Sequence, residues 1–214
     1  MSDNPHLAVP RSHHGAPVDE AGVIVYAAHG RGQSAEYMRD LARRVGLDGA
    51  AWVLPNAADH TWYPGGFMQP ARENEPRLGQ ALETVEAHTA ELSAAQAPLV
   101  ALGFSQGACL LAEYLLTRRP ALAGAILHTG GYTGPHEREW DGGGAGLVGL
   151  PVLMASAEKD PWVPLHRVHA TASGLSRLGA HVACDVYDDT EHRVNDDAVD
   201  RIRTFLRRIA RPPR

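Results

Sequence analysis

Cysteine is scarce, with Cys109 and Cys184 the only two in 214 residues. Two isolated thiols in apolar surroundings exclude a disulfide framework and a cysteine-rich zinc module, and they point to buried free thiols in a reducing compartment. Lysine is scarcer still, Lys159 being the one lysine among 20 lysines and arginines. These cations are outnumbered by 25 aspartates and glutamates, which leaves a formal charge of -5 and no basic surface for a phosphate backbone. Nucleic-acid binding is excluded on that ground. Long hydrophobic runs are missing too, since none approaches the ~20 residues that a membrane span needs. The stretch from Met1 to Ala21 has no apolar segment of the kind that directs export; it carries Pro5, Pro10, Pro17, His6, His13 and His14 instead. A cytoplasmic protein is expected, with no membrane insertion.

Short runs of apolar and β-branched residues recur at Val23 to Ala28, Ala51 to Leu54, Leu99 to Leu102, Ala125 to His128, Val152 to Ser156 and Val182 to Tyr187. Most are continuously apolar rather than alternating, as in strands covered on both faces. Helical spacing fills the gaps at Ser34 to Val45, Leu78 to Ala94, Gln106 to Arg118, Leu165 to Leu178 and Asp196 to Ile209. In the last of these, Val199, Ile202, Phe205, Leu206 and Ile209 form one stripe that leaves most of the arginines in water. Alternating strands and helices predict an α/β fold, a mostly parallel twisted sheet with helices on both faces. No repeat or linker divides the chain. Residues 1–22 are expected to be a partly flexible N-terminal extension, and residues 23–214 a single domain; the glycine-rich piece 141–146 reads as a surface loop.

The sequence Gly103-Phe104-Ser105-Gln106-Gly107 follows one apolar run and opens a helical one. That strand, turn and helix setting is what a nucleophilic serine on a sharp turn requires, with glycines flanking it where side chains would collide. The plain alternative is an ordinary glycine-flanked turn. A serine hydroxyl is a weak nucleophile and needs a base, itself oriented by a carboxylate. Asp160 lies in the loop after the next-to-last strand and His192 after the last, and the order Ser105, Asp160, His192 is the one hydrolases of this layout use. Asp160 could instead be a turn-forming Asp-Pro, with Glu158 as the nearest rival acid. His192 could be a surface histidine, one among 12.

Cleaving an ester also needs main-chain donors aimed at the developing oxyanion. The Gln106 N-H at the start of its helix is one candidate, and the Arg31 N-H in His29-Gly30-Arg31-Gly32 is the other. That glycine pair could equally be a simple strand-to-helix turn. It is not followed by the Gly-Lys-Ser/Thr of a phosphate loop. In a chain only 6% aromatic, Trp62, Tyr63, Phe67 and Met68 cluster between Pro55 and Pro70. Trp62, Tyr63 and Phe67 are expected to wall a substrate groove, unless they pack on the sheet as a satellite core; Trp162 is a further wall candidate. Asn74 and Glu75 would bind polar substrate groups or cap the next helix.

On these motifs, together with Asp160-Pro161-Trp162-Val163-Pro164 and Glu191-His192, the chain from Val23 onward resembles the phospholipase/carboxylesterase family of α/β-hydrolases. That group includes acyl-protein thioesterases and small bacterial carboxylesterases. The resemblance implies an α/β-hydrolase fold, Ser105 as nucleophile, Asp160 as acid, His192 as base, and no metal or other cofactor. Thr61-Trp62-Tyr63, Asn74-Glu75-Pro76 and the run 192–197 resemble a bacterial subgroup, some members of which are linked to quinone and aromatic-compound responses. Acyl-protein thioesterases carry an acidic residue just after the His-Gly-x-Gly turn, where this chain has Gln33-Ser34.

About twenty residues, from Thr129 to Leu150, fill the position where larger hydrolases carry a cap, so no cap domain is expected. An uncapped groove suits small acyl or aryl esters. The expected activity is therefore a carboxylesterase acting through a Ser-His-Asp triad and an acyl-enzyme on a small ester; the sequence also allows a homodimer. The alternatives are thioesterase or lysophospholipase activity, and a hydrolase-like binding protein that senses a small aromatic ligand without turnover. A metal hydrolase using His166 and His169, with His13 and His14, is the remaining rival.

Overall fold

The computed structural model describes residues 4–141 and 146–212. Seven strands form one sheet: β1 (Ser12–Gly15), β2 (Val23–Ala28), β3 (Ala50–Leu54), β4 (Leu99–Phe104), β5 (Gly124–His128), β6 (Pro151–Ala157) and β7 (His181–Tyr187). Their order is β1-β3-β2-β4-β5-β6-β7, and every pairing is parallel except β1 with β3. Among the described residues five α-helices pack on the sheet, four between strands and the last after β7: α1 (Ala35–Val45), α2 (Arg77–Leu92), α3 (Gln106–Arg118), α4 (Leu165–Arg177) and α5 (Asp196–Ile209). Among the described residues between β5 and β6, 129–141 and 146–150, there is neither helix nor strand. Of the expected glycine-rich loop, residues 142–145 lie outside the described residues, as do residues 1–3 of the N-terminal extension.

Strand periodicity sorts the core into two layers. In β2, Ile24, Tyr26 and Ala28 face the layer built by α2, α3 and α4, while Val23, Val25 and Ala27 face the layer built by α1 and α5. Both faces are apolar, so β2 and β4 are buried along their whole length. The helices start and stop on local signals. Ser34 accepts the Glu36 N-H to open α1, and Gly46, at φ 55°, closes it in the left-handed conformation. Asn195 accepts the Ala198 N-H at the head of α5, whose first turn is acidic and last turn basic, as the helix dipole favours.

Residues 4–22 are built onto this framework to a degree the sequence reading did not anticipate. β1 extends the sheet beside β3, and Asn4 and His6 are buried, His6 accepting the Ala58 N-H. β1 shows no apolar alternation because it is an edge strand, and its main-chain bonds rather than its side chains place it.

Candidate active site

The loops that follow β2, β3, β4, β6 and β7 meet at the carboxyl end of the sheet, around a cavity of about 340 Å³. Ser105 sits between β4 and α3 with φ 53° and ψ -120°, a backbone conformation that L-residues adopt only under strain. The flanking glycines make this turn sterically feasible. A Cβ on Gly103 would lie 2.6 Å from the Ala108 backbone, and one on Gly107 would lie 2.2 Å from the Ala28 carbonyl oxygen. The turn is tied down by Ser105 N-H donating to His128 C=O at 3.0 Å and Cys109 N-H donating to Ser105 C=O at 2.9 Å.

Ser105 Oγ lies 2.8 Å from His192 Nε2, and His192 Nδ1 lies 2.8 Å from Asp160 Oδ2. Asp160 is a carboxylate acceptor, so Nδ1 carries the proton and Nε2 presents its lone pair to the hydroxyl. The Asp160 side chain is 0% exposed and His192 17%. The other Asp160 oxygen, Oδ1, accepts the N-H groups of Trp162 and Val163, both at 2.8 Å. Glu158, the rival acid, is exposed and makes no bond to His192. His128, behind the serine, is bonded through Nε2 to Arg193 C=O at 2.9 Å, which fixes the loop bearing His192. Complete burial pushes the His128 pKa down to about 4 and keeps its ring neutral.

Arg31 and Gln106 both line the cavity beside Ser105, and Gln106 is the first residue of α3, where helix amides have no internal partner. The His29-Gly30 turn is held against Ser105: a Cβ on Gly30 would stand 3.1 Å from that of the serine. His29 is fully buried, with Nδ1 2.7 Å from Gly30 C=O and Nε2 accepting the Ala57 N-H at 3.0 Å. Burial depresses its pKa, in keeping with a neutral ring that donates on one side and accepts on the other.

The aromatic cluster divides. Tyr63, Phe67 and Trp162 line the cavity, whereas Trp62 does not. Trp62 is 0% exposed, packs in the core, and donates its indole N-H to His29 C=O at 2.9 Å. Trp62 is therefore not a groove wall but follows the satellite-core alternative: a large ring whose one polar group is satisfied internally is more stable beneath the loop than on its surface. Trp162 by contrast is 73% exposed at the rim. The Asn74 side chain neither caps α2 nor lines the cavity; it accepts the Gly65 N-H and donates to Gly66 C=O, stapling the loop. Glu75 takes the Gly79 N-H in the first turn of α2.

Two contributions escaped the sequence reading. The Gln106 side chain accepts the Trp62 N-H at 3.0 Å and the Thr61 hydroxyl at 3.2 Å, and donates to Tyr63 C=O at 2.8 Å. It thereby joins the serine turn to the aromatic loop. Cys109, one turn into α3, forms part of the cavity floor beside Tyr63, and burial pushes its thiol up to about 12. The histidines of the metal alternative stay apart. His13 and His14 are on β1 at one end of the sheet, and His166 and His169 are on α4, which packs on β6 and β7 at the other. Among the described residues no three His, Cys, Asp or Glu side chains group as a metal site.

A mostly parallel sheet with helices on both faces and a strained serine turn at its carboxyl end defines an α/β-hydrolase. Residues 15–210 match the model of the phospholipase/carboxylesterase family, and the chain belongs to that family. A phospholipase/carboxylesterase from Dyadobacter fermentans DSM 18053 is 31% identical, with 92% of this chain and 96% of that one covered at a TM-score of 0.83. A carboxylesterase from Mesorhizobium loti shares the fold at 20% identity, 97% coverage of both chains and a TM-score of 0.71. SOBER1 from Arabidopsis thaliana does so at 17% identity, covering 87% of this chain and 98% of its own, also with a TM-score of 0.71. No curated protein sequence matches the chain significantly. The chain is an ester hydrolase of the carboxylesterase/phospholipase type, and among its described residues no helix is long and apolar enough to cross a membrane.

Proposed function

We propose that this chain is a serine carboxylesterase for small acyl or aryl esters, with Ser105 as nucleophile, His192 as base and Asp160 as the carboxylate that orients the base. The observation that carries the reading is the bonded chain from Ser105 through His192 to Asp160, with both links at 2.8 Å. His192 Nε2 takes the Ser105 proton as Oγ attacks the ester carbonyl. The N-H groups of Arg31 and Gln106 hold the resulting oxyanion, and the dipole of α3 adds to the second of them. His192 then gives its proton to the departing alcohol and leaves an acyl-enzyme, after which it activates the water that releases the acid. Asp160 keeps the imidazole in the required tautomer and stabilises it while it is charged.

Cavity size bears on the substrate. An apolar cavity of about 150 Å³ holds benzene, so about 340 Å³ walled by Tyr63, Phe67, Trp162 and Val163 suits one aryl ring or a short acyl chain beside the reacting carbonyl. A long acyl chain would have to lie along open surface. The two free cysteines, Cys109 and Cys184, support a reducing, cytoplasmic setting.

Intact mass after treatment with a fluorophosphonate tests the assignment. One adduct on wild-type protein, absent from a folded Ser105→Ala variant, with turnover of short nitrophenyl esters, is the expected result. Folded wild-type protein that neither labels nor turns over would overturn the assignment in favour of a non-catalytic binder of small aromatic ligands.

A further inference from the structure

Among the described residues that line the cavity, Arg31 is the one that carries a permanent formal charge. Its guanidinium is fixed in place. Nη1 donates to Pro64 C=O at 2.7 Å and to Thr61 Oγ1 at 3.3 Å, Nη2 donates to Gly65 C=O, and the group stands 5.8 Å from the centroid of the Tyr63 ring. All three acceptors are neutral, and among the described residues Arg31 has no ion-pair partner. The carboxylate of Asp160 offers it none, because that side chain is fully enclosed and its oxygens are bonded to Trp162, Val163 and His192. The uncompensated positive charge is felt at the cavity floor, where it opposes the upward push of burial on Tyr63 and Cys109.

A guanidinium has five N-H donors, and three bonds occupy at most three of them. The Nε-H and one Nη2-H remain to meet a carboxylate, the anion whose oxygens a guanidinium binds most strongly. The side chain is already ordered by its bonds to the loop, so a carboxylate would form these contacts with little further loss of arginine rotamer freedom. Tyr63, Phe67 and Trp162 supply apolar walls that exclude part of the competing water once the cavity is filled.

We propose that Arg31 selects esters that carry a second, free carboxylate, such as half-esters of dicarboxylic acids or acyl esters of hydroxybenzoates. This rests on the esterase reading above and deepens it to a substrate class. The backbone N-H of Arg31 would hold the oxyanion while its side chain holds the distant carboxylate.

The test uses two matched pairs of esters. One is mono-4-nitrophenyl adipate against its methyl-capped diester, with the carboxylate on the acyl side; the other is 4-acetoxybenzoate against its methyl ester, with the carboxylate on the leaving group. Each kcat/KM is divided by the rate of alkaline hydrolysis to remove intrinsic reactivity. In wild-type protein at low salt, the carboxylate member should lead by about tenfold or more in at least one pair. That ratio should fall to about one or below in Arg31→Met, recover in part in Arg31→Lys, and decline as salt screens the charge. If Arg31 only braced the Pro64-Gly65 loop, Arg31→Met would slow both members alike and leave the ratio unmoved, which would overturn the proposal. A wild-type ratio at or below one in both pairs would also overturn it, with the esterase reading intact. Absence of any turnover together with absence of fluorophosphonate labelling would remove the esterase reading, and this inference with it.

Discussion

Replacing Asp160 with asparagine exploits a detail of its surroundings. Oδ1 is held by two main-chain donors, the N-H groups of Trp162 and Val163, and only Oδ2 faces His192. An asparagine must turn its carbonyl oxygen to those two donors, because the reverse orientation would set an NH₂ group against two N-H groups. Its NH₂ therefore points at His192 Nδ1, which must become the acceptor. The imidazole proton then moves to Nε2 and faces Ser105 Oγ, and no lone pair remains to take the serine proton. A fall in kcat of about 10⁴ is expected, equivalent to about 5.5 kcal/mol at 1.36 kcal/mol per decade. KM should change little, since the enclosed side chain touches no substrate. Steady-state hydrolysis of a short nitrophenyl ester measures both constants, with circular dichroism and urea unfolding to show a folded protein. Glu158→Gln serves as the control and should stay within about twofold of wild type, as a surface change remote from the chemistry does. A folded Asp160→Asn variant within tenfold of wild-type kcat would refute the tautomer argument and the role given to Asp160.

Two further outcomes follow from packing and titration. Gly107→Ala places a Cβ 2.2 Å from the Ala28 carbonyl oxygen and 2.7 Å from that of His29, backbone atoms that cannot retreat without parting β2 from α3. A loss of about 3 kcal/mol or more in urea unfolding, with crippled turnover, is expected; a silent substitution would show that the turn is looser than described. His128, with its pKa lowered to about 4 by burial, gives a defined dependence of stability on acid. The folded value lies below the ordinary one of about 6.5, so this contribution is complete above pH ~6.5 and drains away as pH falls toward ~4. Its share between pH ~7 and ~4.5 is about 2 to 3 kcal/mol. The difference in unfolding free energy between those pH values should shrink by an amount of that order in His128→Gln; an unchanged difference would contradict the buried neutral ring.

The layered sheet was legible because its evidence is repetitive. Each buried parallel strand is a run of apolar residues, each helix repeats its apolar stripe, and the observed ends of β2, α3 and α5 coincide with those runs. Ser105, Asp160 and His192 were legible for a different reason: each follows a strand, so the topology converges their loops whatever the loops contain. What escaped notice depended on partners distant in sequence. β1 carries no pattern because its stabilising groups are main-chain atoms shared with β3. Trp62 and Tyr63 are neighbours with the same composition cue and both pack in the core, yet Tyr63 also borders the cavity while Trp62 bonds its indole to His29 C=O beneath the loop. The Gln106 side chain likewise looked like a spacer in the serine motif, since its three acceptors and donors lie 43 to 45 positions away.

Ser105 and His192 are 87 positions apart, and the histidine comes from the loop after the last strand. During synthesis at about 5 to 20 residues per second, Ser105 leaves the ribosome roughly 4 to 17 s ahead of His192. For that interval the hydroxyl lacks the base proposed for it, and any product truncated before position 192 stays in the same condition. On the roles proposed above, a nascent chain that has not reached position 192 cannot attack esters around it, and hydrolytic competence arrives only when the loop after β7 docks. On the proposed roles, arrival of the loop after β7 is the event that switches the chemistry of Ser105 on.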